Sequence, residues 1–290
     1  MRTMLRSTVI AAASSCALLA ACRGGTVPSQ VLTKPAPANV AAPIMAAGGS
    51  WVYRPSMKQQ RFLLDQRAVL SIRADTSARA DTVSSHAEVA FTTAPAATGI
   101  SGTVTAFLVQ SAGRGATVPA GLSIPFPFRA EYSTRASQLE FSSPREVAQC
   151  ESTSLAVAQS LRDLWFRPPD TLRVGATWED SSSYVLCRDG IPLGAMVHRR
   201  FRVSGTTERA GRLLLTVSRT SRTVIEGTGA QFGEAVGVTG AGSGQLAYEF
   251  DPQNGEVVSA SGDATLDLSL RSRLRTQVVR QAVEIRLGRP

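Results

Sequence analysis

The sequence predicts a mainly β protein: a curved antiparallel sheet or half-barrel of about ten strands with one central helical segment packed on it. Three observations carry this. Apolar and polar residues alternate with a period of two along most of the chain, Gly, Pro, Ser and Asp separate the alternating runs, and one stretch switches to a helical period. The alternating runs are 64–74, 82–93, 100–110 and 126–134, followed by 177–187, 197–203, 212–224, 244–251, 256–270 and 277–287. In the run 256–270, Leu266, Leu268 and Leu270 share one face and Thr265, Asp267 and Ser269 the other, the pattern of a half-buried antiparallel strand. Ahead of it, Asp251-Pro252-Gln253-Asn254-Gly255 is a hairpin turn, with Asn-Gly able to take positive φ at low cost.

The helical stretch lies near 144–165. Ser143-Pro144-Arg145-Glu146 combines an N-cap serine, proline at the first helical position and glutamate three residues after the cap. Val157, Leu161, Leu164 and Trp165 form an apolar stripe, and Pro168-Pro169 ends it. That stripe must be buried, and the concave face of a curved sheet is the available partner.

The first 21 residues read as a secretory leader. Arg2 and Arg6 precede an apolar run, 8–20, that is shorter than the ~20 residues a membrane-spanning helix needs. The run ends at Leu19-Ala20-Ala21-Cys22, which resembles the lipobox of bacterial lipoproteins. The resemblance implies cleavage before Cys22, lipid on its thiol and acylation of the new amino terminus. Several acyl chains anchor far better than one, at ~0.8 kcal/mol per buried CH₂. Residue 23 is Arg rather than Asp, which by analogy with Gram-negative sorting implies the outer membrane, facing the periplasm. The expected organisation is therefore a signal peptide over 1–21, a lipidated tether over 22–50 and a β-rich domain over 51–290. Residues 23–50 hold four prolines, six alanines and no acid, so they read as a stalk with a reach of about 80 Å.

Cys16 lies in the leader, which leaves Cys150 and Cys187. In an exported chain such a pair reads as a disulfide, closing a loop of roughly 37 residues and contributing about 3–4 kcal/mol. Two buried thiols are the alternative. His86 and His198 stand apart and give no ligand spacing, so no metal and no cofactor is expected.

The formal charge is +9, of which Arg2 and Arg6 belong to the leader. The rest is nearly all arginine, since Lys34 and Lys58 are the only lysines. Arg271, Arg273 and Arg275 alternate; if strand pairing runs through them, they form a guanidinium ladder suited to phosphate or carboxylate on lipid headgroups or surface polysaccharide. The alternatives are a solvated face or a hairpin loop. Nucleic acid is not an expected partner at an envelope address.

The glycines at 227, 229, 233, 237, 240, 242 and 244 lack the ending of a phosphate loop and open no helix. They read as a loop or a sharply curved strand pair. Gly242-Ser243-Gly244 is not a nucleophile elbow. Glu179 and Asp180 adjoin in a strand, so they point to opposite faces and form no acid/base pair.

Two segments resemble uncharacterised exported bacterial proteins. These are Leu172-Arg173-Val174-Gly175-Ala176-Thr177-Trp178 after the prolines, and the hairpin Tyr248-Glu249-Phe250-Asp251 to Asn254-Gly255-Glu256-Val257. The order of strands, helix and further strands distantly resembles the periplasmic lipoprotein-carrier and lipoprotein-receptor family. That resemblance implies a curved antiparallel half-barrel with helices plugging its concave side, in a family whose members carry acyl chains. The expected function is a membrane-tethered, non-enzymatic binding or scaffold module, with an apolar or anionic lipid as ligand. The alternatives are a hydrolase of envelope polymers and a structural partner in an envelope complex.

Overall fold

The computed structural model describes residues 49–290 except 75–76, 112–113, 119–123, 143–160, 162–164, 189–190, 232 and 274. The strands are β1 (Ser50–Val52), β2 (Gln60–Ala74), β3 (Ser77–Thr93), β4 (Gly99–Ser111), β5 (Phe126–Ser133), β6 (Gln138–Ser142) and β7 (Thr171–Arg173). They continue with β8 (Thr177–Arg188), β9 (Ile191–Arg209), β10 (Arg212–Gln231), β11 (Glu234–Asp251), β12 (Glu256–Ser272) and β13 (Thr276–Gly288). β1 and β7 pair with each other, and the other eleven form one large curved sheet.

Pairing in that sheet runs β10-β11-β12-β13-β2-β3-β4-β5-β6-β8-β9 and returns to β10, so the sheet closes into a barrel. The expected mainly β, curved antiparallel sheet of about ten strands is present, with one strand more and its edges joined. The difference is β6, too short to show a period, which reaches β8 through the parallel pairs Gln138↔Ser181 and Leu139↔Ser182. Every other contact is antiparallel.

Alternation decides which face is inside. On β9, Leu193, Ala195, Val197, Arg199, Phe201 and Val203 are buried, while Met196, His198, Arg200 and Arg202 are exposed between them. On β12, Leu268 and Leu270 are buried and Asp267 faces out, as its sequence requires. The outer face carries charge along its whole length, with Arg61, Asp65, Arg67 and Arg73 on β2 and Arg280, Glu284 and Arg286 on β13. That is the inverse of a barrel whose outer band meets lipid.

The helical segment expected near 144–165 lies outside the described residues apart from Leu161 and Trp165. Leu161 is fully buried and Trp165 nearly so. Both join the apolar cluster inside the barrel, as does Phe166, whose ring lies 5.0 Å from Tyr248, 5.1 Å from Phe201 and 5.8 Å from both Trp178 and Phe250. The chain before β7 therefore fills one end of the lumen. A second cluster, including Leu70, Ile191, Leu193, Ile225, Val238 and Leu270, fills the other end.

The glycine run is strand, not loop: β10 extends to Gln231 and β11 starts at Glu234. Gly242 faces inward against β12, where a Cβ would stand 2.6 Å from the Thr265 carbonyl oxygen. Only glycine lets the two strands approach this closely, which bends the wall. The Asp251–Gly255 turn forms as expected, with φ +66° at Gly255 and the Asp251 carboxylate accepting from the Gln253 and Asn254 amides.

Candidate functional site

An eleven-stranded barrel is wider than the eight-stranded kind whose interior its own side chains just fill. Between the two apolar clusters lies a belt of small inward residues, chief among them Ser221 and Thr223 on β10, Gly242 and Gly244 on β11, and Gly262 and Ala264 on β12. Register places them side by side: Ser221↔Gly244, Thr223↔Gly242 and Gly244↔Ala264. All six point into the lumen yet are only half-buried, so a water-sized sphere reaches them. Fully packed interior residues on the same strands, such as Val217 and Tyr248, are buried.

The belt borders a polar cluster. Arg199 on β9 holds Asp180 on β8 in a two-pronged ion pair, with Nε–Oδ1 and Nη2–Oδ2 both 2.6 Å. The two side chains are 2% and 1% exposed, so the pair is desolvated and its hydrogen bonds are charge-assisted. Arg199 also donates from Nη1 to the Trp165 carbonyl at 3.4 Å and lies over the Phe201 ring at 5.3 Å. Beside it, buried Arg219 donates from Nη1 to the Tyr248 hydroxyl at 3.4 Å. Trp178 stacks on Phe201 with ring centroids 5.1 Å apart, and its buried indole N–H meets no acceptor among the described residues.

Glu179 and Asp180 do diverge. Glu179 faces out and meets Arg200 at 3.3 Å while Asp180 faces in. Sequence reading stopped there and missed Asp180's partner. Period two along Leu193-Ala195-Val197-Phe201-Val203 puts Arg199 on the buried face, and a buried guanidinium requires a carboxylate. The same step, applied to Leu215 and Val217, locates Arg219.

Of the residues singled out in the sequence, Cys22 and Cys150 lie outside the described residues, and Cys187 sits on β8 opposite Pro192. The arginine ladder does not form. Pairing ends at Arg271↔Thr276, and Arg273 and Arg275 fall in the β12–β13 turn, where the Arg275 amide donates to Ser272 Oγ at 3.1 Å. Alternation stops because the chain must reverse there. His198 lies on the outer face of β9. His86 Nδ1 stands 2.7 Å from Asp65 Oδ1 in an outer groove of about 390 Å³ that Arg67, Glu284 and Arg286 also line. Among the described residues, no three His, Cys, Asp or Glu side chains group as metal ligands.

No protein-family model matches the chain, and no curated protein is detectably similar to it.

Proposed function

We propose that the protein is a lipid-anchored envelope barrel that binds an apolar or acyl ligand in its lumen. The observation that carries this reading is the half-buried belt of small residues around Ser221, Thr223 and Gly244, walled by apolar clusters at both ends. Ligand pockets are mostly apolar with a few placed polar groups. Here the belt offers space, the clusters offer apolar walls, and the Trp178 N–H offers a donor to a ligand oxygen. The buried Asp180 is committed to Arg199 in a two-pronged ion pair, which suits it to holding the wall rather than to acid or base work. The anchor is lipid on Cys22, in the outer membrane on its periplasmic side, with residues 22–50 as tether.

The lumen is tested by native mass spectrometry of the full chain carrying Cys22→Ser, purified without added lipid. A co-purifying acyl compound is expected, and Thr223→Trp, which fills the belt, should abolish it while the circular dichroism spectrum is unchanged. An empty parent protein that also fails to take up a fluorescent fatty acid would end this reading. The anchor is tested separately by radiolabelled palmitate, which should label the wild-type chain and not Cys22→Ser.

A further inference from the structure

We propose that the outer groove over β13, β2, β3 and β4 binds a sugar acid, a ring of hydroxyls carrying one carboxylate. Register brings its residues together in two rows. Arg286 on β13 stands opposite Asp65 on β2, Asp65 opposite His86 on β3, and His86 opposite Leu108 on β4. In the next row, Glu284 stands opposite Arg67, Arg67 opposite Ser84, and Ser84 opposite Gln110. The β3–β4 register shifts between Glu88 and Val89, two residues past His86, and such a bulge bends the wall. The backbone at Thr117 folds back on Val109, with N–O distances of 2.8 and 2.9 Å, and sets Ala116 at the rim. The result is a recess of about 390 Å³, within the range of small-molecule sites.

Opposite charges directly across two antiparallel strands attract, and elsewhere on the outer surface such pairs close. Asp267 holds Arg280 at 2.9 Å, and Glu179 holds Arg200 at 3.3 Å. In the groove they stay open. Among the described residues, neither the Arg67 nor the Arg286 guanidinium pairs with a carboxylate, although Glu284 and Asp65 stand directly across from them. Asp65 turns instead to His86, with Oδ1 2.7 Å from Nδ1. An ionised carboxylate only accepts, so Nδ1 carries the proton and Nε2 is left to meet a hydroxyl. Arg67 and Arg286 are diagonal neighbours, ~7–8 Å apart at the backbone, and their long side chains can hold one carboxylate from two sides. Asp65 and Glu284 border the same space, and their charge disfavours a dianion such as phosphate. Ser84, Gln110 and Glu284 offer partners to ring hydroxyls, and half-buried Leu108 gives the C–H face of a sugar ring an apolar surface. A bare carboxylate leaves these groups unused, and a neutral sugar leaves the guanidinium groups unpaired.

The test is titration calorimetry on the full chain with Cys22→Ser, using galacturonate, galactose and acetate. Galacturonate should bind, and galactose and acetate should each bind at least about tenfold more weakly. Arg67→Gln with Arg286→Gln should weaken galacturonate about tenfold or more, since hydrogen bonds between charged groups are the strong ones. His86→Ala should weaken galacturonate and leave acetate unchanged. These side chains lie on the outer face, so the thermal melts of the variants should match the parent's. The control, Arg200→Gln with Arg202→Gln on the outer face of β9, should leave every titration unchanged, and equal loss there would reduce the effect to net charge and overturn the site. So would a parent protein that does not bind galacturonate, or that binds acetate as tightly. Polygalacturonate separates the sources of the sugar. Tighter binding per sugar than galacturonate, lost in the Arg67 and Arg286 variant, assigns a polysaccharide chain, and no gain over galacturonate assigns a free sugar.

Discussion

The two sides of the barrel are built differently. On the β9–β10–β11–β12–β13–β2–β3 side, strands of 13 to 20 residues pair along nearly their full lengths. β10 and β11 stay in register from Leu215↔Phe250 to Gln231↔Glu234. On the β4–β5–β6–β8 side, β5 has 8 residues and β6 has 5, and β6 meets β8 at Gln138↔Ser181 and Leu139↔Ser182. The long wall is held by its ladder. The seam is held by what its side chains bury: Leu139 is fully buried, and Asp180, from the strand that completes the seam, is locked to Arg199. Backbone pairing and side-chain burial are thus alternative ways to close one sheet, and substitutions should tell them apart.

The largest expected effect falls on the seam strand. Asp180→Ala strands a buried guanidinium and should cost about 3–5 kcal/mol in chemical denaturation. A cost under about 1 kcal/mol would show that the seam does not depend on this pair. Next comes Leu139→Ala, expected to cost about 2–5 kcal/mol by the cavity it leaves. In native-state hydrogen exchange, the Ser181 amide, which donates across the seam to the Ser137 carbonyl at 2.9 Å, should exchange faster than β10 and β11 amides. Uniform protection around the barrel would erase the distinction between the two sides. Glu179→Gln, one residue from Asp180 but on the exposed pair with Arg200, should change stability by less than about 1 kcal/mol. Smallest in practical reach is the alkaline limb. Burial pushes the Tyr53 hydroxyl well above its ordinary value, an effect only partly offset by the Arg167 charge. The folded pKa is the higher one, so this contribution is intact below pH ~10 and fades as pH rises beyond it. Tyr53→Phe should flatten that fall in a pH series of thermal melts.

The long wall was largely legible because each of its strands repeats one binary decision many times. The faces assigned to Leu266, Leu268 and Leu270 against Thr265, Asp267 and Ser269 hold in the structure. The seam was not legible: β6 is too short to establish a period, and its partner, β8, lies beyond a long connection. The glycine run took the strand-pair alternative: glycine is depleted in strands for lack of side-chain packing, and in β11 that same lack permits the approach to β12. At the candidate site, Glu179 and Asp180 were set on opposite faces, yet the partnership of Asp180 with Arg199 depends on register between strands, which no single strand encodes. The arginines at 271–275 took the hairpin-loop alternative rather than the ladder, because where a strand turns back depends on its neighbour's length.

The lone parallel contact at the seam has an arithmetic origin. In a ring of strands whose neighbours run in opposite directions, directions cancel only when the number is even. Eleven is odd, so at one place two strands must point the same way, and β6 and β8 are those two. Strands that point the same way cannot be joined by a tight turn; the chain has to travel back along the barrel before resuming. Here the return path includes Leu161, Trp165 and Phe166, which lie inside the barrel. Losing any single strand would let the circle close without such a return and remove the reason for chain to pass through the middle, whereas gaining a whole hairpin would preserve it.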